Sequence, residues 1–430
     1  MRYRPLAPEL FKTNRENLKK LLLKNSVVVV NANDVLPTNA DGTLPLVPNS
    51  DLFYLTGIDQ EESILVLAPD ADDEKHREML FLRETNEHLA TWEGHKLTKE
   101  QARQISGIER VHWLSEFRPI FHRLMCECEH VYLNSNEHPR AVVEVETREA
   151  RFVRDCLARY PLHDYHRLAR LMAQLRIVKS HLEVEVIRRA CELTARGFQR
   201  ALAFVRPGVT ETEIEAELAH EFIRGGGGFA YPPIVASGPN TCVLHYLQND
   251  QACRKGDLLL LDVGASYAHY RSDLTRTIPV SGRFSRRQKQ VYHAVLRVFR
   301  ETVRRMVPGK LPKELQKEAE KLIEEELLGL GLLKPADIKK QDPDKPAFKK
   351  YFMHGVSHPL GLDVHDVGFT TQPMQPGWVL TCEPAIYIKE EGFGIRLETD
   401  VLITESGNVD LLADVPIEPD EIEERMRADR

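Results

Sequence analysis

Short apolar runs alternate with amphipathic stretches through the first third of the chain. Segments 27–31, 63–67, 79–83 and 130–133 read as strands, and segments 10–23, 99–105, 117–127 and 142–160 as helices. That alternation predicts a small α/β domain over residues 1–165. The charge-rich stretch 140–176 reads as a long connecting helix broken near Pro161, with 166–179 as the linker into a second domain at 180–430.

The second domain opens on a helix-start signal. Ser180-His-Leu-Glu183 is a capping box, in which the serine caps the helix amides and the glutamate reaches back to the N-cap. The helix it starts stops at Arg206-Pro-Gly208, and Thr210-Glu-Thr-Glu213 starts another that ends in Gly225–Gly228. A strand-rich stretch follows from Tyr231 to Val280. Ser285-Arg-Arg-Gln288 then opens a long helix that stops at Val307-Pro-Gly309, and the next begins near Pro312. This order is an internal duplication: Pro207-Gly208 matches Pro308-Gly309, Glu213-Ile214 matches Glu314-Leu315, and Glu217 matches Glu318. It predicts a curved antiparallel sheet flanked by two helix pairs, with the site in the concavity.

Two strands repeat as well. Gly256-Asp-Leu-Leu-Leu-Leu-Asp262 and Gly377-Trp-Val-Leu-Thr-Cys-Glu383 each run from a glycine through an apolar strand to an acid. A second acid follows each, Asp273 and Glu398. Between the two halves lies His354-Gly-Val-Ser-His358-Pro-Leu-Gly-Leu-Asp-Val-His365-Asp366. A carboxylate ending a buried strand must be paired or bind a metal, because an isolated charge there is very costly. Four carboxylates and an imidazole are an oxygen-rich, hard set that favours Mn²⁺ or a similar divalent ion over a thiolate-type zinc site. Two such ions ~3.5–4 Å apart can clamp both oxygens of a hydrolytic intermediate. Gly355, Pro359 and Gly361 disfavour a helix, so this is not the zincin His-Glu-x-x-His pattern. Cys382 adjoins Glu383 but strand parity turns it to the other face. In Gly394-Ile-Arg396-Leu-Glu398, Arg396 and Glu398 share a face, so Arg396 could orient Glu398 or hold substrate.

Charge and composition narrow the partners. The formal charge is −7, the pI is about 6.2 and no basic stripe is present, which argues against nucleic acid and an anionic membrane surface. Nothing approaches the run of about 18 apolar residues a membrane span needs, and Met1-Arg-Tyr-Arg-Pro-Leu6 has no apolar segment behind it. The seven cysteines are scattered, and Cys126-Glu-Cys128 has no matching second pair, so reduced thiols in a cytoplasmic protein are expected.

The set Asp262, Asp273, His358, Glu383 and Glu398, in that order, resembles the "pita-bread" metallopeptidases. The phrases Tyr351-Phe-Met-His-Gly-Val-Ser-His-Pro-Leu-Gly-Leu-Asp-Val-His-Asp366 and Val235-Ala-Ser-Gly-Pro-Asn-Thr-Cys-Val-Leu-His-Tyr246 are similar to bacterial aminopeptidase P, as is Gly394-Ile-Arg-Leu-Glu398. Asn49-Ser-Asp-Leu-Phe-Tyr-Leu-Thr-Gly57 resembles the N-terminal domain that accompanies it, so the likeness covers nearly the whole chain. The resemblance implies an α/β (α+β type) protein: a creatinase-like N-terminal α/β domain and a C-terminal pita-bread domain. It implies an Xaa-Pro aminopeptidase with two divalent ions, expected to be Mn²⁺, that cuts peptides with proline at position two through an activated hydroxide. It further implies a homodimer or homotetramer.

Residue by residue, the resemblance makes Asp262, Asp273, His358, Glu383 and Glu398 the metal ligands, with Asp273 and Glu398 bridging and Glu383 also the acid/base. His245, His354, His365, Tyr387 and Arg396 fall at substrate-binding or supporting positions, His365 against the scissile carbonyl. Two positions depart from the family pattern. Thr399 replaces a second acid but points away from Glu398's face, and Pro359 stands where bacterial relatives often have an aromatic. Trp92 reads equally as N-domain core or as an aromatic capping a neighbouring subunit's site. Gly225–Gly228 lacks the Lys-Ser/Thr of a phosphate loop and reads as a turn. His88, His220 and His293 read as surface or satisfied groups. The alternatives are a prolidase restricted to dipeptides and a catalytically dead pita-bread binding module; completeness of the five ligands argues against the second.

Overall fold

The computed structural model describes residues 3–142 and 144–428. It divides into two compact units, Arg4–Arg176 and a second from Ile177 onward joined by Tyr3.

The first unit is built on a six-stranded sheet of β1 (Ser26–Asn31), β2 (Ile64–Leu67), β3 (Glu78–Leu82), β4 (Arg110–Trp113), β5 (His130–Leu133) and β6 (Asp164–Arg167). The order is β4-β3-β2-β1-β5-β6. β1 pairs antiparallel with β2 and parallel with β5, and β6 closes the edge parallel to β5. All six residues of β1 are buried, which is why it reads as an unbroken valine run rather than an alternation. Val27, Val29, Val66, Phe81, Phe117 and Phe121 share one core beneath helix Phe117–Glu127. The Asn49-Ser-Asp motif starts helix Ser50–Thr56: the Asn49 side chain accepts from the Asp51 and Leu52 amides at 3.0 Å each. Gly57 ends it at φ 69°, where a Cβ would sit 2.4 Å from the Phe11 ring.

The expected long helix over 140–176 is not there. Helix Arg148–Arg159 starts at an N-cap by Thr147, strand β6 follows, and helix Leu168–Arg176 ends the unit. β6 is Asp-Tyr-His-Arg on a sheet edge, with no buried residue, so it lacks the apolar signature that marks a strand in sequence. Trp92 is 78% exposed on helix Glu87–Glu93, which excludes the core reading.

The second unit carries the duplicated elements. Helices His181–Phe204 and Glu211–Arg224 start at the Ser180 and Thr210 capping boxes, and Arg286–Arg305 at that of Ser285. Helix Pro312–Gly329 completes the second pair. The first pair approaches closely at Gly197, where a Cβ would lie 2.6 Å from the Phe222 ring. The strands are β7 (Gly228–Phe229), β8 (Ile234–Ser237), β9 (Leu258–Val263), β10 (Ala265–Tyr267), β11 (Tyr270–Arg271), β12 (Leu274–Pro279), β13 (Val379–Cys382), β14 (Ala385–Ile388), β15 (Phe393–Arg396), β16 (Thr399–Thr404) and β17 (Gly407–Asp410). They form antiparallel ladders β8-β9-β12, β13-β16-β17, β14-β15 and β7-β10-β11. The glycines that open the two acid-ended strands, Gly256 and Gly377, both sit at positive φ, 94° and 89°. The ladders of the two halves join where the Glu398 amide donates to the Thr275 carbonyl at 3.0 Å.

Candidate metal centre

Each acid is placed by the end of a ladder. Asp262 lies near the end of β9 and Asp273 just before β12; Glu383 follows β13, and Glu398 sits between β15 and β16. His358 arrives on an extended loop whose own carbonyl accepts from the Thr381 amide at 2.9 Å. Ligand atoms of Asp273, His358 and Glu398 all lie within 4.8 Å of one another, and all three residues are buried. Glu383 joins through His358, whose Nε2 is 3.8 Å from Glu383 Oε1 and 3.6 Å from Asp273 Oδ2. Asp262 joins through Tyr231, whose hydroxyl lies 2.7 Å from Asp262 Oδ1 and 2.5 Å from Asp273 Oδ1. The five residues expected as ligands are thus gathered in one place.

The accessory residues form a second chain of contacts. Arg396, at the end of β15, pairs with Asp262 Oδ2 through Nη2 and donates from Nη1 to the Tyr387 hydroxyl at 2.8 Å. Tyr387 lies 2.9 Å from His354 Nε2, and His354 Nδ1 lies 2.8 Å from the Gly355 carbonyl. A carbonyl only accepts, so Nδ1 carries the proton and Tyr387 donates to Nε2. His354 is therefore a neutral imidazole; burial, then the Arg396 charge, pushes its pKa down to about 3. The His365 ring stands edge-on to His358 with centroids 4.4 Å apart. His245 is exposed, beyond the turn Gly238–Cys242. Cys382 is buried away from the acids, its Sγ facing the Phe299 carbonyl, and Thr399 turns from Glu398 to bond Asp410.

Sequence reasoning passed over three contributors. Thr275 donates to Glu398 Oε2 at 2.6 Å and accepts from Arg396 Nε at 3.1 Å. Its signal was present: it lies two residues beyond Asp273, on the same strand face. Asp400 accepts the Asp273 amide at 3.0 Å and stands two residues beyond Glu398. Tyr231 has no local signal; only the β8–β9 register, which sets Ile234 opposite Asp262, brings it near.

The donor set fits divalent cations. Four carboxylates, Asp273 and Glu398 buried and Asp262 and Glu383 half-buried, face one guanidinium, and the surplus negative charge shows in their ionisation. Burial, then the charges of Asp273, Glu383 and Asp262, raises Glu398 well above the usual carboxylate range. Burial pushes Glu383 up to about 7 against the pull of His358 and Arg396. His358 Nδ1 faces the Pro359 carbonyl at 3.0 Å, so its proton sits there and Nε2 is turned to the carboxylates. Burial disfavours a charge on that ring, yet Asp273 and Glu383 push its pKa up to about 9. A metal ion at Nε2 would take the place of that second proton, and ligating histidines commonly donate their other N–H to a backbone carbonyl in this way.

The sequence profile of Metallopeptidase family M24 matches residues 185–405, and that of the Aminopeptidase P N-terminal domain matches 11–132. The Xaa-Pro aminopeptidase of Escherichia coli is 35% identical over 442 residues, covering 99% of each chain. The chain belongs to metallopeptidase family M24. Other relatives of this M24 member include the Xaa-Pro aminopeptidase of Haemophilus influenzae, 33% identical with 98% of each chain covered. Among solved structures, a putative aminopeptidase P from Bacillus anthracis superposes with a TM-score of 0.92 at 33% identity, covering 99% of each chain. Zn-substituted E. coli aminopeptidase P in complex with product superposes at 0.88 and 34% identity, covering 99% of this chain and 100% of that one. The fold of this M24 protein is therefore the expected one, an aminopeptidase P-type N-terminal domain and a pita-bread C-terminal domain.

Proposed function

We propose that this chain is a metal-dependent aminopeptidase that releases the first residue of peptides whose second residue is proline. The observation that supports the reading is the gathering of all five side chains expected as ligands between two ladders, in a chain matched end to end by Xaa-Pro aminopeptidases. That completeness also disfavours a binding module that has lost its chemistry.

Asp262, Asp273, His358, Glu383 and Glu398 would hold two ions, which when bound supply Lewis acidity toward the scissile carbonyl and acidify water. The oxygen-rich set favours Mn²⁺. Glu383 has the position of the acid/base, 3.4 Å from His354 Nδ1, taking a proton from water and returning it to the proline nitrogen that leaves. His365, beside His358, donates to the oxyanion as it forms. Arg396, Tyr387 and His354 hold one another at 2.8 and 2.9 Å and keep the imidazole neutral and oriented toward substrate. The substrate's free amine lies toward Asp262, and His245 closes the outer side. We assign the enzyme to the cytoplasm and to a homodimer or homotetramer, in which the exposed Trp92 covers a neighbouring copy's site.

Proline at the second position has a fixed φ and no amide hydrogen, so a site that accepts it must be shaped for the ring. The test is to stir metal-stripped protein with Mn²⁺ and compare Xaa-Pro-Yaa, Xaa-Pro and N-acetylated peptides. Activity lost on stripping and regained with Mn²⁺, with the tripeptide cut fastest, supports the proposal. Cleavage of dipeptides alone would make it a prolidase, and equal cleavage of blocked peptides an endopeptidase.

A further inference from the structure

A second group of ligating side chains lies in the first unit, apart from the catalytic centre. β5 and β6 run parallel with His130 opposite Asp164 and Tyr132 opposite His166. Asp164 and His166 are two apart on β6, so both project from one face at the sheet edge, beside His130. Three atoms converge there. His130 Nδ1 lies 3.1 Å from Asp164 Oδ2 and 3.1 Å from His166 Nε2, and His166 Nε2 lies 3.0 Å from Asp164 Oδ2. The triangle is nearly equilateral. The His166 ring is held by stacking on Tyr132, with centroids 4.9 Å apart.

Hydrogen bonds alone do not satisfy this triangle. If His166 donates to His130, the acceptor nitrogen of His130 faces the carboxylate. If His130 donates to His166, the acceptor nitrogen of His166 faces it instead. If both donate to Asp164, two N–H groups stand side by side. Every placement of protons leaves one edge with like against like. One cation above the triangle satisfies all three atoms at once. Ligand bonds of ~2.0–2.1 Å in a tetrahedron require ligand atoms ~3.3–3.4 Å apart, close to the spacing already present. Asp164 is 63% exposed, so water can reach the fourth corner.

We propose that His130, Asp164 and His166 form a metal site for a divalent transition ion of the Zn²⁺ type. Two imidazoles and one carboxylate are a softer, nitrogen-rich set than the four carboxylates and one imidazole of the catalytic centre. The two sites would therefore sort metals, with Zn²⁺, Ni²⁺ or Cu²⁺ favoured on the N-terminal unit and Mn²⁺ at the hydrolytic centre.

The full chain is equilibrated with Zn²⁺, freed of loose ion by gel filtration, and its total metal counted by elemental analysis. His166→Ala and Asp164→Asn are expected to carry one equivalent less than wild type, with unchanged melting temperature in the absence of added zinc. Equal metal counts in wild type and Asp164→Asn, whose side chain is largely solvent-exposed and whose replacement spares the fold, overturn the proposal. In zinc-soaked crystals of the full chain, an anomalous peak bonded to His130 Nδ1 and His166 Nε2 is expected, and a bare triangle at saturating zinc overturns it.

Discussion

Lys179 and Asp366 meet with Nζ to Oδ2 at 3.0 Å, and each side chain is only 1% exposed. Asp366 follows His365, and its amide donates to the Pro359 carbonyl at 2.9 Å, closing the loop that carries His358. Replacing Lys179 by Met removes the cation and leaves the carboxylate buried, with Oδ1 held by the Val367 amide at 3.0 Å and Oδ2 deprived of its ammonium partner. Breaking a buried pair from one side costs about 3–5 kcal/mol, mostly the uncompensated charge. The double variant Lys179→Met/Asp366→Asn removes that charge, so it is expected to lose about 2 kcal/mol less than the sum of the single variants. The assay is urea unfolding at neutral pH followed through Trp378, which is 1% exposed and lies beside the Gly377 carbonyl that accepts the Lys179 amide. Turnover of Lys179→Met should also fall, because the loop bearing both histidines loses its anchor. Gly361→Ala supplies an independent perturbation, since its Cβ would lie 2.1 Å from Asp366 Oδ2. If Lys179→Met unfolds within about 0.5 kcal/mol of wild type, as an ordinary surface change would, the ion pair does not anchor the loop.

Glu149, buried in the first unit, accepts from the Asn31 backbone and side-chain amides at 2.8 Å each, yet burial pushes its pKa up from 4.5 to about 7. A folded-state pKa above the unfolded one gives stability that is full below pH 4.5 and lost as pH rises through about 7. That shift amounts to roughly 3 kcal/mol, and Glu149→Gln should flatten the fall in unfolding free energy between pH 5 and 8; an unchanged slope in the variant refutes it. Tyr231→Phe deletes the hydroxyl shared by Asp262 and Asp273, and Mn²⁺ titration of activity should show affinity lower by about 10–100-fold. His365→Ala should reduce turnover by about 10²–10³-fold with little change in bound metal, and unaltered turnover would remove it from the chemistry.

Much of this was legible because strong local rules and the global fold agree. Ser180, Thr210 and Ser285 each cap the helix their capping boxes announce, and Gly256 and Gly377 mark equivalent turns. The four acids of the proposed centre were visible because carboxylates at the ends of apolar strands contradict their surroundings. β6 was not legible, since an edge strand of polar residues carries no periodic signal, and misreading it as helix separated Asp164 from His166 and both from His130. Tyr231 was missed because strand register, not sequence spacing, brings it to the acids.

The joint between Glu398 and Thr275 has a consequence for the order of events during folding. It closes a loop from 275 to 398 that contains helices Arg286–Arg305 and Pro312–Gly329 and the whole His354–Asp366 segment. Contacts so distant along the chain form late, because the entropy of closing the loop is spent before they repay it. Asp262 and Asp273 precede that loop, Glu383 lies within it and Glu398 ends it. A growing chain consequently has no assembled centre until its C-terminal ladder has been made, and metal is chosen by a finished cavity rather than by loose carboxylates on a nascent polypeptide.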